Sequence, residues 1–376
     1  MDRQPRLFEN TGQDGQGIDR RDFVKLVTMA AASVGLSSSV AVKFVEAATQ
    51  GLKPSVIWLH FQECTGCTES LLRTSHPAVA ELILDLISLD YHETLFAAAG
   101  RQAEAALKSA MESGAGKYIC VVEGAIPTKE GGIYCKIGDR TAVDILNDVA
   151  GRAGAIIAIG SCASWGGIPS ADPNPTGAKG VSEILQGKTV VTIPGCPANP
   201  YNFLGTALQY VVLGTLPALD EKGRPMFAYA RTIHEDCPRR SHFDAGRFAQ
   251  KFGDDGHRLG YCLYKLGCKG PATHANCSTL HFGEVGAWPV GIGHPCVGCT
   301  EQTLGFRVPI HTTIEIDRPT PPDTYPPIEA EHGGISPVAT GVAGLVGGAL
   351  VGAGYMASKK LGPAKEDPEP KKGVEP

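Results

Sequence analysis

The sequence predicts an α/β domain built on a parallel sheet, followed by a cysteine-rich region with little regular secondary structure. Short apolar runs alternate with helical stretches between residues 54 and 220, which is typical of strand–helix repeats. Residues 221–316 have few long apolar runs but contain half of the twelve cysteines. A third observation is an uncharged segment, residues 338–358, which is long enough to cross a bilayer as a helix.

The amino-acid composition argues against some classes of protein. Apolar residues make up 43% of the 376 residues and charged residues 19%, so most of the chain can bury a core. The formal net charge of −5 argues against a nucleic-acid binder, which needs a basic surface. Twelve cysteines are too many for a typical enzyme core, and their spacing therefore requires an explanation.

Residues 1–48 are predicted to be a twin-arginine export signal. Arg20 and Arg21 precede a weakly hydrophobic stretch without charge, residues 26–42. The alternative is a basic turn before an amphipathic helix. Twin-arginine export carries folded proteins, which suits a protein that takes up a cofactor before it leaves the cytosol.

The domain at residues 54–220 is predicted from its alternating pattern. We expect strands at 56–59, 118–122, 155–159 and 190–193, and helices at 79–87, 141–150, 181–185 and 203–212. Such repeats form a parallel sheet covered on both faces, and ligands bind beyond the carboxyl ends of its strands.

Four cysteines follow three of these predicted strands. We call Cys64, Cys67, Cys162 and Cys196 the first set. Four thiolates that meet at one edge of a sheet suit tetrahedral zinc or a cubane iron–sulfur cluster. Gly66, Gly160 and Gly195 would let backbone amides approach the sulfurs. The alternative is four unrelated buried thiols.

The region at residues 221–316 contains seven further candidate ligands, too many for one metal. His234, Cys237, Cys262 and Cys268 form the second set, and Cys277, Cys296 and Cys299 form the third set. Three thiolates hold a three-iron cluster, or a cluster with one ligand from outside the protein. Disulfides compete with this interpretation in an exported protein, but short cysteine pairs with a histidine at ligand spacing favour metal. Cys120 is predicted to be a buried small hydrophobe, and Cys135 receives no function.

The C-terminal part is predicted to attach the protein to a membrane. Residues 317–337 form a proline-rich linker, 338–358 a transmembrane anchor and 359–376 a charged tail. Lysines directly after the anchor place the tail in the cytoplasm and the body outside. A buried soluble helix at 338–358 is the alternative.

Seven short motifs together resemble one protein family. They are ECTGCTES, GSCASWGG, PGCPANP, HEDC, YCLYKLGCKGP, NCST and GHPCVGC, in this order. The chain resembles the small, iron–sulfur subunit of membrane-bound nickel–iron hydrogenases, and especially of periplasm-facing uptake enzymes that feed the quinone pool. The resemblance extends from the export signal to the anchor.

The resemblance implies a fold and a set of cofactors. The first domain would be flavodoxin-like. The first set would hold the proximal 4Fe-4S cluster, the second set the distal 4Fe-4S cluster, and the third set the medial 3Fe-4S cluster. Pro289 stands where a four-iron homologue would offer another cysteine.

The resemblance also implies partners and a reaction. The nickel–iron site would belong to a large subunit, in a heterodimer or a dimer of heterodimers, so this chain would carry no catalytic residue. A quinone-reducing membrane protein, a cytochrome b or a ferredoxin-like protein would take the electrons from hydrogen oxidation. Glu63 is a weak candidate for a proton route, with a surface carboxylate as the alternative. Two other classes are an electron-transfer protein of another oxidoreductase and a zinc-stabilised structural module.

Overall fold

A five-stranded parallel sheet forms the first half of the protein. The computed structural model describes residues 53–316, apart from 76–78, 80–81, 84–86 and 283–285, together with the single positions 349 and 356. The strands are β1 (Ser55–His60), β2 (Ser88–His92), β3 (Ile119–Glu123), β4 (Ile126–Pro127), β5 (Lys136–Ile137), β6 (Arg140–Thr141), β7 (Ala155–Ile159), β8 (Ala178–Lys179) and β9 (Val191–Ile193).

The strand order identifies the class of sheet. The large sheet has the order β2-β1-β3-β7-β9, and all of its pairings are parallel. Counted within this sheet alone, the order is that of flavodoxin-like, doubly wound folds. Two small antiparallel pairs, β4 with β8 and β5 with β6, lie outside it.

Helices follow most strands of the large sheet. They are α1 (Gly66–Leu72), α2 (Arg101–Ser113), α3 (Ala142–Gly151), α4 (Gly160–Trp165), α5 (Val181–Ile184), α6 (Pro200–Leu213), α7 (Met226–Tyr229), α8 (Arg240–Asp244) and α9 (Asp255–Arg258). Local sequence explains several ends. The Thr141 side chain accepts a hydrogen bond from Asp144 N at the start of α3, and Asn199 accepts one from Tyr201 N at the start of α6. Gly214, in the left-handed region at φ 66°, ends α6.

Alternate residues of each strand enter opposite cores, as the pleat of a strand requires. Val56 and Trp58 pack into one core with α6, whereas Ile57 and Leu59 pack into the other with α2 and α3. Cys120 lies in the second core and is fully buried, which confirms its predicted role as a small hydrophobe. Both faces of the sheet are therefore covered, as predicted.

The cysteine-rich region adds only short helices and 3₁₀ turns, the latter at Tyr264–Leu266 and Gly270–Ala272. Its apolar side chains, such as Leu263 and Trp288, share the first core with the sheet residues. The prediction of sparse regular structure is confirmed for the described residues 221–316.

Some predictions lie outside the described residues. They are the export signal at 1–48, the linker at 317–337, the anchor at 338–358 except positions 349 and 356, and the tail at 359–376. Most of the predicted helix at 79–87 also lies outside them. In the part of the chain that the structure describes, no helix has the length and apolar character needed to cross a membrane.

Candidate metal centres

The first set lies at the carboxyl edge of the sheet, where β1, β7 and β9 end. Cys64 and Cys67 flank the start of α1, Cys162 lies in α4, and Cys196 follows β9. Burial is the main cause that raises the pKa of Cys162 to about 12, and the neighbouring thiols of Cys196 and Cys64 add to the rise. The loops that carry these cysteines are in contact, since Ala198 N donates to Cys67 Sγ and Gly195 N donates to the Ser161 hydroxyl. The structure therefore brings together the four cysteines that the sequence placed at strand ends.

Glycines leave room for the sulfurs of the first set. A methyl group on Gly160, which has φ +80°, would lie 2.5 Å from Cys67 Sγ, and one on Gly167 would lie 2.8 Å from Cys162 Sγ. The backbone N–H of Ala198 points at Cys67 Sγ at 3.5 Å. Close backbone approach of this kind is what glycine permits.

Glu123 is a buried carboxylate of this edge that sequence reasoning missed. It ends β3, is 2% exposed, and accepts hydrogen bonds from Cys67 N at 2.9 Å and Thr68 Oγ1 at 2.6 Å. Thr68 N and Trp58 Nε1 donate to it at 3.1 and 3.2 Å. A charged residue directly after a run of buried apolar residues was the available signal. Glu123 holds the first turn of α1, and thereby Cys67, against the sheet.

Glu63 is not a surface carboxylate. Its side chain is 15% exposed, and Oε1 lies 3.3 Å from His60 Nδ1. Its Oε2 atom is buried and has no hydrogen-bond partner among the described residues. That alternative interpretation of Glu63 is therefore wrong.

The second set lines a single cavity. His234, Cys237, Cys262 and Cys268 all face this cavity, beside Arg239 and Tyr264. The His234 Nε2 atom is buried and has no hydrogen-bond partner in the described structure. Burial lowers the pKa of His234 to about 4, so its imidazole is neutral near pH 7 and its lone pair is free. An unpartnered nitrogen among three sulfurs is a donor set that fits a metal cluster.

The third set lines a second, larger cavity. Cys277, Cys296 and Cys299 face it together with Pro289. Burial raises the pKa of Cys277 to about 12 and that of Cys299 to about 11. Pro289 thus lines the same cavity as the three thiols, and it is the residue at which the motif resemblance predicted a missing fourth ligand.

The three sets adjoin one another in a row. Cys196, in the first set, lines the same cavity as the three cysteines of the third set. The backbone N–H of Cys296, in the third set, donates to Cys268 Sγ of the second set at 3.3 Å. The third set therefore stands between the other two. This order does not follow the order of the sets along the chain.

Ser161 supports the first of these junctions. Its hydroxyl donates to the Cys299 carbonyl at 2.5 Å and accepts from Gly195 N at 3.0 Å. The loop after β9 and the loop that carries Cys299 are thereby fixed to each other.

Three further histidines of the cysteine-rich region differ in their hydrogen bonds. His274 bonds to Glu301, and His281 bonds to the Ser278 carbonyl. His242 Nδ1 is buried and has no partner among the described residues.

The donor geometry favours clusters over single ions or disulfides. Within the described residues, no three or more His, Cys, Asp or Glu side chains converge tightly enough for one metal ion. Zinc needs four donors at about 2.0–2.3 Å, whereas a cluster interposes several iron and sulfide atoms between its thiolates. All twelve cysteines lie in the described part and all are free, so the disulfide interpretation is wrong.

Comparisons with known proteins agree along the chain. The family "NADH ubiquinone oxidoreductase, 20 Kd subunit" matches residues 64–210, and the C-terminal family of the "NiFe/NiFeSe hydrogenase small subunit" matches residues 229–310. The Hydrogenase-2 small chain of Escherichia coli (strain K12) is 52% identical over 356 residues, covering 94% of this chain and 96% of that protein.

Two further comparisons concern a periplasmic protein and a solved structure. The periplasmic NiFe hydrogenase small subunit 1 of Nitratidesulfovibrio vulgaris is 48% identical over 288 residues, covering 76% of this chain and 90% of that protein. A reduced, active form of the Ni-Fe-Se hydrogenase from Desulfomicrobium baculatum contains a similar chain, with a TM-score of 0.66 and 35% identity. That match covers 70% of this chain and 100% of the other.

Proposed function

The chain belongs to the family of nickel–iron hydrogenase small subunits, and from this premise we propose that its three ligand sets hold three iron–sulfur clusters. The first set would bind a proximal 4Fe-4S cluster, the second a distal 4Fe-4S cluster and the third a medial 3Fe-4S cluster. The partner is the nickel–iron large subunit, which carries the active site. Hydrogen is oxidised there to protons and electrons, and this chain conducts the electrons.

The observation that carries this proposal is the row of three adjoining sets. Electron relay needs closely spaced redox centres; here Cys296 N donates to Cys268 Sγ, and Cys196 lines the cavity of the third set. When bound, the clusters supply one-electron redox chemistry. The chain's own residues position them: Ala198 N and Cys296 N donate to sulfurs of the first and second sets. Such bonds stabilise negative charge on sulfur and raise a reduction potential.

His234 has a further consequence for the second set. A neutral imidazole replaces one negatively charged thiolate, so a cluster there carries less negative charge. As in Rieske centres, this makes reduction easier. The distal site would therefore accept electrons readily at the outer end of the relay.

The cluster types can be tested by electron paramagnetic resonance. The oxidised, purified heterodimer is expected to show one three-iron signal and, after reduction, signals of four-iron clusters. Cys277→Ser removes one of three thiolates of the third set, so it is expected to abolish the three-iron signal and to lower hydrogen-dependent reduction of a dye at least tenfold. Iron analysis of the same samples measures the loss of metal.

Cys135→Ser is the matched control for this experiment. Cys135 is partly buried but lies in the second core, away from the three sets, and its replacement should leave both the signal and the rate unchanged. A wild-type protein that shows no three-iron signal when oxidised would contradict the assignment of the third set.

We also propose that the protein works at the periplasmic face of the cytoplasmic membrane. The support is the arginine pair in 1–48, the uncharged segment 338–358 and the periplasmic relative. The quinone pool, reached through a membrane partner of the cytochrome b or ferredoxin-like kind, would be the final acceptor. An anchored body stays at the membrane, where such a partner lies.

Deletion of residues 338–358 tests the anchor. The variant is expected to leave the membrane fraction and to keep full hydrogen-dependent dye reduction, because all eleven candidate ligands lie in the described body. Coupling to quinone should fall strongly, since the electron donor is no longer held at the membrane. Cell fractionation with both activity assays measures the result.

A second variant serves as the control for export. Arg20→Lys with Arg21→Lys should leave cluster-loaded protein in the cytoplasm, whether or not the anchor is present. If the deletion abolished dye reduction, the segment would have a structural role, and periplasmic activity in the double lysine variant would refute the signal assignment.

A further inference from the structure

Lys269 is a fully buried lysine in the middle of the cysteine-rich region. Its side chain is 0% exposed, although it follows the ligand Cys268 directly in sequence. The Nζ atom donates to the Pro309 carbonyl oxygen at 3.0 Å. Among the described residues this carbonyl is its only hydrogen-bond acceptor. One neutral acceptor compensates a buried ammonium group only in part, so this charge needs further negative neighbours.

The lysine lies at the junction of the second and third sets. Lys269 N donates to the Cys296 carbonyl at 2.8 Å, and Cys296 N donates to Cys268 Sγ at 3.3 Å. The aliphatic part of the side chain passes beside the Cys296–Cys299 loop, since a methyl group on Gly298 would lie 3.3 Å from Lys269 Cδ. Lys269 thus joins a ligand of each set: it follows Cys268 in the sequence, and its backbone N–H bonds to Cys296.

The ammonium charge acts on whatever the neighbouring ligands hold. Cys268 directly precedes Lys269, and the Lys269 side chain packs beside the loop that carries Cys296 and Cys299. Because opposite charges attract strongly in a buried, poorly solvated site, this ammonium group favours the more negative form of a nearby cluster. A cluster becomes more negative when it accepts an electron.

We propose that the Lys269 ammonium group is a fixed positive charge shared by the medial and distal sites, which stabilises the reduced form of both clusters. Lys269 touches neither substrate nor reacting atoms. It is a positioning residue that acts on the electron relay only through its charge. Its role rests on the proposed function, because it requires clusters in the second and third sets. Because Lys269 raises the reduction potentials of both clusters, it changes the difference between these two potentials only slightly.

Redox titration of the heterodimer, followed by electron paramagnetic resonance, tests this role. Lys269→Met removes the charge, and Lys269→Gln removes it but keeps a donor for Pro309. At the wild-type midpoint potential, both variants are expected to show a reduced-to-oxidised ratio of the three-iron cluster at least tenfold lower. For a one-electron couple this corresponds to 59 mV. Lys269→Arg should restore most of the ratio.

Lys265→Met is the matched control. Lys265 lies four positions earlier and is exposed, so water screens its charge and its loss should leave the ratio within twofold of wild type. An unchanged midpoint in both neutral variants would overturn the proposal, as would an equal shift in the Lys265 variant. It would also fail if the neutral variants lost the medial cluster while Lys269→Arg kept it, because the charge would then be needed for assembly. A wild-type protein without any cluster signal would instead contradict the proposed function.

Discussion

Glu123→Ala is expected to destabilise the heterodimer by about 4 kcal/mol and to empty the first set of iron. Four donors, from Trp58, Cys67 and Thr68, point at the Glu123 carboxylate inside the protein. Each buried donor left without an acceptor costs about 1–3 kcal/mol, and the four losses are not fully additive. The first turn of α1 also loses the negative charge that complements its dipole. Because Cys67 lies in this turn, its sulfur is no longer held towards the other three.

Thermal unfolding of the purified heterodimer, with iron analysis, measures this effect. Glu69→Ala is the matched control, since Glu69 lies on the same helix but is 55% exposed and, among the described residues, pairs only with the exposed Arg73. We expect its effect to stay within about 0.5 kcal/mol. Equal behaviour of the two variants would show that the buried hydrogen bonds at Glu123 are dispensable.

Glu301→Ala is expected to have the second large effect, a loss of about 3–5 kcal/mol. Glu301 is 4% exposed and accepts hydrogen bonds from Arg224 at 2.8 Å, Lys222 at 2.6 Å and His274 N at 3.0 Å. These bonds tie the segment after α6 to the loop that ends in Cys299. Without Glu301, the buried Arg224 keeps its ion pair with Asp220 and a long hydrogen bond to the Thr300 carbonyl, and the loop of the third set loses most of its support.

The effect of Glu301 depends on pH in a defined direction. Burial alone would raise the pKa of Glu301, but hydrogen bonds from His274, Lys222 and Arg224 hold it well below its usual range. A carboxyl whose pKa is lower in the folded state contributes stability above its ordinary pKa of 4.5 and loses it as the pH falls further. The difference between wild type and variant should therefore be full at pH 7 and shrink in strong acid.

Unfolding midpoints at pH 7 and pH 4, measured on the heterodimer, check both the size of the Glu301→Ala effect and its dependence on pH. Glu221→Ala, an exposed position in the same segment, provides the control and should change little at either pH. A difference that grew as the pH fell below 4.5 would have the wrong sign for the ion-paired carboxylate described above.

Apolar runs made four of the five strands of the large sheet predictable. β1, β3, β7 and the edge strand β9 are buried on both faces, so each is a short, mainly apolar run that stands out from its neighbours. The edge strand β2 mixes Ser88, Asp90 and His92 with two apolar residues and shows no such run. The short helices α1 and α4 were also missed, because their residues were interpreted only as ligand loops.

The ligand sets were predictable for a related reason, whereas their supporting charges were not. Cysteines that directly follow strands must meet at one sheet edge, so chain order alone brings the first set together. The hydrogen-bond partners of Glu123 and Lys269 lie 56 and 40 positions away in the sequence. The residues next to them therefore do not show which groups these charges contact. In a sequence, a lone Glu or Lys predicts a solvated surface, and only the fold shows that each is enclosed.

The unequal exposure of the sulfurs has a consequence for the order of assembly. Cys64 and Cys196 are exposed on this chain, while Cys237, Cys262, Cys268 and Cys296 are buried. A cluster in the first set of a lone small subunit would therefore face solvent and any oxidant dissolved in it, whereas the inner clusters would be shielded by the protein. If the proposed function holds, the large subunit would cover this edge, and the two chains would have to join before either met an oxidising compartment. Docking would then be a condition for survival of the cofactor as well as for catalysis.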